Sequence, residues 1–289
     1  MNTIITKFKK LPFTNNYIFS RIIHNFPELS IPLVKMCTGI DIDEVTIAKE
    51  EWSIAPDFDA KSIRLDAYVK SLNRHIDIEM QTTRDEAIFK RARYYNDILD
   101  VESLSKGEEY SALPDVIIIF ICLFDPLPPF NALKYEEKIR MYADDKDVTD
   151  KCSYDSGCVR MYLNAKADVS AIKDKRLRAL VEYINTEKCT DEFTKELEFG
   201  LNAVRNSRKE QERFMTLQYE LDRYVKDHQD EWYKEGELVG EAKGEAKGEA
   251  KAQANLVRSM FANGISIEQI SIIAKISIEE VKEILSANE

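Results

Sequence analysis

The chain has 289 residues, of which 44% are hydrophobic and 32% are charged, and its formal net charge is −11 at pH 7. This composition is typical of a soluble protein with one substantial domain and an appendage, and the acidic balance argues against broad, non-specific adhesion to nucleic acid. The longest apolar run, residues 116–124, is too short to span a bilayer, and residues 1–7 lack the apolar core of a secretion signal. We therefore predict a cytoplasmic protein with no membrane association.

The amino-terminal region predicts two helices and a strand. Thr14 can cap a first helix over residues 15–24. A second helix over 27–37 is followed by Gly39, which suits a left-handed helix end. Residues 45–49 then favour a first strand.

The next stretch predicts a β-hairpin. A connection that begins at Glu50 and contains a loop at 57–59 leads into it. Apolar and polar residues alternate over 63–70 and again over 75–81, with the polar loop 71–74 between them. If residues 71–74 form the loop, Lys70 on the first strand faces His75 on the second. The ladder then has two further facing pairs, Asp66 with Glu79 and Arg64 with Gln81.

Four polar residues of the hairpin, Asp66, Asp77, Glu79 and Gln81, project from one side, because strand residues two apart share a face. Two carboxylates that face each other across a ladder repel, and a divalent cation would remove the repulsion. On residue type alone, the same pattern is also that of an ordinary hairpin with a solvent-facing polar side.

After the hairpin, Thr83 with Glu86 predicts a capping box at the start of a helix. The apolar residues of this helix recur at helical spacing and should face the sheet: Ile88, Ala92, Tyr95 and Leu99. Arg84 and Arg91 border that apolar stripe, where a guanidinium group could hold a phosphate by two hydrogen bonds. The alternative is that Arg91 pairs with a neighbouring carboxylate.

Residues 116–124 are apolar and rich in β-branched side chains, which predicts a central strand buried on both faces. Such a strand needs helices on both sides, so we predict an α/β protein with a mixed sheet. An edge strand over 159–163 should follow, then helices over 175–186 and 191–234, the latter interrupted near Gly200.

The carboxyl-terminal region differs in composition. The tetrapeptide Gly-Glu-Ala-Lys occurs three times in succession over 240–251, and its glycines and charge spacing predict a marginal helix that acts as a hydrated spacer. Residues 255–289 predict three short helices, two with capping boxes at Ser266 and Ser277, and apolar faces made of Ile270, Ile273, Val281, Ile284 and Leu285. The outline resembles a helix-turn-helix unit, but its third helix is acidic, which favours a packing or oligomerisation module.

Three segments together resemble the Rpn family of recombination-promoting nucleases and transposases, a branch of the PD-(D/E)XK nuclease superfamily. They are Leu-Pro-Phe-Thr-Asn-Asn-Tyr-Ile-Phe at 11–19, the hairpin with Asp66 and Ile-Glu-Met-Gln at 78–81, and Gly-Glu-Glu-Tyr-Ser-Ala-Leu-Pro at 107–114. The resemblance covers about residues 10–235. There are three departures from the expected pattern. Leu65 stands where the superfamily has proline, and Gln81 replaces the superfamily lysine, as is usual in this branch. Asn16 stands where relatives more often carry aspartate.

The resemblance implies a restriction-endonuclease-like mixed sheet flanked by helices, with a carboxyl-terminal helical appendage. It divides the chain into a nuclease domain over 1–235, a linker over 236–254 and a helical module over 255–289. The resemblance also implies an activity, that of a metal-dependent DNA endonuclease. Such an enzyme hydrolyses phosphodiester bonds, and the family links this activity to mobile DNA or recombination.

In that mechanism Asp66 and Glu79 bind Mg²⁺, with Mn²⁺ as a substitute, and Gln81 positions a water. Arg84, Arg91 and Asn16 are candidates for contacts with the DNA substrate, and the carboxyl-terminal helices are candidates for homo-oligomer contacts.

Two other hypotheses stay open. In the first, an inactive nuclease fold binds DNA or a protein partner, which Asn16 favours and the intact Asp66, Glu79 and Gln81 disfavour. In the second, the chain is a structural protein unrelated to nucleases, which leaves the facing carboxylates unexplained.

Overall fold

The computed structural model of the chain describes residues 2–54, 61–149 and 156–286. The predicted loop at 57–59 therefore lies outside the described residues. The chain forms two units, Met1–Met215 and Thr216–Glu289.

In chain order the helices are α1 Asn2–Phe8, α2 Asn16–Asn25, α3 Ser30–Thr38, α4 Ile88–Ser103, α5 Lys175–Thr186, α6 Glu192–Asn206, α7 Arg208–Ala262, α8 Ile267–Ala274 and α9 Ile278–Ser286. The strands are β1 Ile47–Ile54, β2 Ile63–Ser71, β3 Arg74–Gln81, β4 Asp115–Cys122, β5 Lys134–Glu137, β6 Tyr142–Ala143, β7 Lys146–Asp147 and β8 Cys158–Asn164. Short 3₁₀ turns occupy Pro27–Leu29, Tyr110–Ala112 and Val169–Ala171.

A six-stranded mixed sheet organises the first unit, in the order β1-β2-β3-β4-β8-β5. Strand β4 pairs in parallel with β3 and with β8, and the other pairings are antiparallel. Gln81, Cys122 and Asn164 are in register, so the three parallel strands end together at one edge of the sheet. The α/β prediction is confirmed, but the strand predicted over 159–163 lies inside the sheet, because β5 covers its outer side.

Both faces of the sheet are covered by helices, as a central buried strand requires. Ile117, Ile119 and Ile121 of β4 face a core formed with α2, α3, α5 and α6. The alternate residues of β4, including Ile118 and Phe120, face a smaller core under α4. The four residues of α4 predicted to face the sheet, Ile88, Ala92, Tyr95 and Leu99, all belong to that core.

The register of the hairpin is confirmed: Lys70 pairs with His75, and the ladder extends to Ala67 opposite Ile78. The turn is shorter than predicted, because Ser71 and Arg74 add one more pair to the same ladder.

The side-chain alternation of β2 is interrupted at Asp66, contrary to the prediction. Ile63 and Leu65 pack into the α4 core, whereas Ala67 packs into the opposite core. Beyond this point Arg64 pairs with Ser53 of β1. The ladder between β2 and β3 ends at Ala67 and Ile78, so neither of the two further predicted pairs, Asp66 with Glu79 and Arg64 with Gln81, belongs to it.

Several predicted boundaries were wrong for local reasons. Asn15 caps α2 in place of Thr14, since its side chain accepts the Ile18 amide hydrogen. Strand β1 covers 47–54, so Glu50 and Glu51 belong to it and do not start a loop. Helix α4 begins only at Ile88 and has no side-chain cap, so the capping box at Thr83 is not formed. Gly39, by contrast, ends α3 in the left-handed conformation as predicted.

Gly200 does not interrupt its helix, and the break falls at Ser207 between α6 and α7. A Cβ atom at Gly200 would lie 3.1 Å from Ile22 and 3.4 Å from Phe26. Because these two residues belong to α2 and the turn after it, glycine is needed here for close packing of α6, and that packing offsets its low helix propensity.

In the second unit, Val257, Ile270 and Val281 form a small buried core between the end of α7, α8 and α9. The predicted capping box at Ser266 is present, and Glu280 hydrogen-bonds to Ser277. Ile273 is 54% exposed, contrary to its predicted place on an apolar face. None of the described helices combines the length and apolar character needed to cross a membrane.

Candidate active site

The two predicted metal ligands meet where the β2–β3 ladder ends. The backbone N–H of Asp66 donates to Glu79 Oε1 at 2.8 Å, so a carboxylate takes the place of a backbone acceptor. Both side chains are almost fully buried, with exposures of 8% for Asp66 and 4% for Glu79. At the interruption of β2, the Glu79 carboxylate therefore lies against the backbone of Asp66, next to the sheet edge where the parallel strands end.

The Asp66 carboxylate also ties helix α2 to this edge. Its Oδ2 accepts the backbone N–H of Met80 at 3.2 Å and the side-chain amide of Asn16 at 3.0 Å. Asn16 is the first residue of α2. Asn16 thus lies against the predicted site, with an amide that donates a hydrogen bond to one of its carboxylates.

Gln81 and Arg91 form the next layer of the site. Gln81 Oε1 accepts from Arg91 at 2.6 Å, and its amide nitrogen donates to the Thr83 carbonyl at 2.7 Å. Arg91 also approaches Glu79 at 3.6 Å and pairs with Asp85 at 2.9 Å. Arg91 thus pairs with carboxylates, as the alternative interpretation expected, and its binding of a phosphate stays a prediction.

The Arg91 guanidinium is held in place by aromatic packing as well, since it lies 4.8 Å from the centre of the Phe120 ring. This contact is a cation–π geometry, and it positions a positive charge beside the buried carboxylates. Arg84, in contrast, is exposed in the segment before α4 and lies outside this hydrogen-bond network.

A third carboxyl group, Asp77, lies beside Glu79 and is fully buried. No donor among the described residues reaches either of its oxygen atoms. Burial, and then the charges of Glu79 and Asp66, raise the pKa of Asp77 well above its ordinary range. A protonated Asp77 can donate to Glu79, which would satisfy both groups. The sequence predicted that Asp77 lies on the same face of the hairpin as Glu79, but it assigned Asp77 no function. An aspartate within a buried strand was the signal that could have identified it.

The pKa of Glu79 is also raised, from 4.5 to about 8, first by burial and then by the charge of Asp66. A carboxyl group whose pKa is raised in the folded state binds more protons when folded. Its contribution to stability is therefore fully present below about pH 4.5 and is lost as the pH rises to about 8.

From these shifts we expect Asp77→Asn to stabilise the metal-free protein more at pH 8 than at pH 5, with a difference of about 1–3 kcal/mol between the two pH values. Asparagine resembles protonated aspartate and cannot acquire the buried charge. Urea unfolding in EDTA at the two pH values measures this, with Asp97→Asn, an exposed carboxylate of α4, as the control. Equal effects of Asp77→Asn at both pH values would contradict the assignment.

The residues at this edge fit a hard divalent cation. Among the described ranges, no three His, Cys, Asp or Glu side chains are arranged as ligands of one metal ion. Mg²⁺, however, is often held by only one or two carboxylates and keeps several waters. Asp66 and Glu79 supply two such groups, and a cation would offset the repulsion that raises the pKa of Glu79.

Comparison with protein families gives one match: the model described as PD-(D/E)XK nuclease family transposase matches residues 35–225. This range includes Asp66, Glu79, Gln81 and Arg91, whereas Asn16 precedes it. Neither the curated proteins nor the solved structures gave a match.

Proposed function

Because the chain belongs to the PD-(D/E)XK nuclease family transposases, we propose that it is a DNA endonuclease that uses Mg²⁺ or Mn²⁺ to hydrolyse phosphodiester bonds. The observation that carries the proposal is the approach of Asp66 and Glu79 at the end of the β2–β3 ladder, beside Arg91. Membership of this family supports a role for the proposed activity in DNA transposition or recombination.

In the proposed mechanism Asp66 and Glu79 hold the cation. A cation held there would supply Lewis-acid chemistry: it would polarise the scissile phosphate and lower the pKa of a water beside it. Gln81 orients that water, and Arg91 keeps the Gln81 amide in one orientation through its 2.6 Å hydrogen bond. Glutamine carries no charge, so Arg91 supplies the positive charge that lysine provides elsewhere in the superfamily.

Nicking of supercoiled plasmid by the purified chain tests this function directly. Nicking is expected with Mg²⁺ or Mn²⁺ and is expected to stop with EDTA. Nicking that persists in excess EDTA would contradict metal dependence, and its absence with both metals would favour the non-catalytic alternative below.

Substitutions of Gln81 test its role. Gln81→Leu, which has similar bulk but no hydrogen-bonding group, is expected to reduce nicking about 10²-fold, since it also removes an acceptor from Arg91. Gln81→Lys should retain part of the activity, although its charge faces Arg91. Initial nicking rates measure both effects, with thermal melting as the control for folding. A leucine variant as active as the wild type would place Gln81 outside the site.

An inactive fold that only binds DNA or a protein is the second candidate, and Asn16 favours it. Its amide donates to Asp66 Oδ2 at 3.0 Å and so satisfies, without a metal, an oxygen that a cation would use. Asn16→Asp separates the candidates: in an active enzyme a third carboxylate should tighten Mn²⁺ binding, measured by calorimetry. No Mn²⁺ binding by either protein would support the inactive fold.

We place the nuclease function before the Gly-Glu-Ala-Lys repeats and homo-oligomer contacts after them. All the site residues lie in the unit Met1–Met215, and Ile272 and Ile273 leave apolar surface on the last helices. A chain that ends at Tyr233 is therefore expected to retain nicking, measured on plasmid, and to lose self-association, measured by light scattering. Loss of DNA binding by this truncated chain, with its fold intact, would instead make the terminal helices a DNA reader.

A further inference from the structure

A pocket of about 440 Å³ opens between the start of β2 and the start of α4. Its wall combines apolar and aromatic side chains with cationic ones. The cationic side chains are Lys61, Arg64, Lys90 and Arg91, and they face one carboxylate, Asp85. We call it the Tyr94 pocket, since the Tyr94 hydroxyl donates to the Lys61 carbonyl at 2.6 Å and so joins its two sides.

The Tyr94 pocket adjoins the candidate active site through Arg91. This residue lines the pocket and also touches Gln81 and Glu79. Its partner Asp85, the acidic group among the described residues of the lining, is already paired with it at 2.9 Å. A ligand in the pocket would therefore meet a locally positive surface on a chain whose net charge is −11.

The lining has features that an inorganic anion would not need. Tyr94 and the largely buried Tyr95 provide aromatic groups, and Ile63 and Ala87 add apolar surface. Aromatic walls with a cationic rim are the chemistry that binds a nucleotide, because the base stacks on the ring while the phosphate meets the cations.

We infer that the Tyr94 pocket receives one unpaired nucleotide of the DNA strand beside the phosphate to be cut. A base inside a duplex is stacked and paired, so it can enter a pocket of the protein only when it is extruded or already single-stranded. The inference rests on the proposed nuclease function, and it names the substrate as DNA with an unpaired nucleotide next to the cut.

Fluorescence anisotropy of labelled DNA tests the inference in EDTA, where binding is measured without cleavage. Three probes are compared: a fully paired duplex, the same duplex with one unpaired thymidine, and the same duplex with an unpaired abasic site. The wild-type chain should bind the thymidine probe about tenfold more tightly than the other two. The abasic probe controls for the flexibility that an unpaired position adds to the duplex.

Variants assign the preference to the pocket. Lys90→Ala and Arg64→Ala, both at exposed positions, should weaken binding of all three probes. Arg93 lies on the same helix as Lys90 but outside the pocket, so Arg93→Ala should weaken binding less. Tyr94→Ala should remove the preference for thymidine, and Tyr94→Phe, which keeps the ring, should retain it.

No binding, equal binding of the thymidine and abasic probes, or a preference for thymidine that survives Tyr94→Ala would overturn the inference. A chain that cuts DNA but shows no such preference refutes the pocket assignment alone. A chain that shows the preference but never cuts DNA refutes only the nuclease function.

Discussion

Asp66→Asn and Glu79→Gln are each expected to reduce metal-dependent plasmid nicking by on the order of 10³-fold. Each change removes one of the two negative charges that would hold the cation. The amide variants are sharper tests than alanine, because Asn can still accept the Met80 N–H and Gln can still accept the Asp66 N–H. Asp66→Ala would leave the buried Met80 N–H without that acceptor, at a cost of about 1–3 kcal/mol.

The same variants should not be destabilised when metal is absent. Neutralising either carboxylate relieves the repulsion that raises the pKa of Glu79, so the melting temperature in EDTA should hold or rise. Asp97→Asn removes a charge from an exposed position of α4 and should leave nicking unchanged. Wild-type nicking rates in Asp66→Asn or Glu79→Gln would refute the metal-ligand assignment.

The largest effect on stability is expected from Glu210→Ala, with a decrease of about 3–5 kcal/mol in the free energy of unfolding. Arg21 binds Glu210 through two hydrogen bonds, of 2.6 and 2.7 Å, and both side chains are 3% exposed. Removing the carboxylate leaves a buried guanidinium without its charged partner. Urea unfolding at pH 7 measures the loss.

Glu212→Ala is the matched control, because Glu212 lies on the same helix and pairs with the exposed Arg208. Its effect should stay below about 1 kcal/mol. Burial alone would raise the pKa of Glu210, but Arg21, together with Arg213 and Asn25, outweighs burial and lowers it. The contribution of the Arg21–Glu210 pair is therefore present at neutral pH and is lost as the pH falls through the depressed pKa. Equal decreases in the free energy of unfolding for the two alanine variants would show that the buried Arg21–Glu210 pair stabilises the fold no more than the exposed pair does.

The sequence alone determined the features of this protein that depend on local pattern. Alternation over 63–81 determined the hairpin register from Lys70–His75 to Ala67–Ile78, and its extension predicted the approach of Asp66 and Glu79. The uniform apolar run of β4 determined a strand buried on both faces. The register of a hairpin and the burial of a strand follow from the period and the hydrophobicity of the side chains. Both properties are visible in one or two neighbouring segments of the sequence.

Tertiary structure decided what depends on packing between distant segments. The core under α4 takes up Ile63 and Leu65, so the alternation of β2 is interrupted at Asp66. Gly200 stays helical because it packs against α2. The Tyr94 pocket and the isolated carboxyl group of Asp77 likewise require α4 to lie across the sheet. No local periodicity encodes these contacts, because the free energy of packing residues far apart in sequence overrides local propensity.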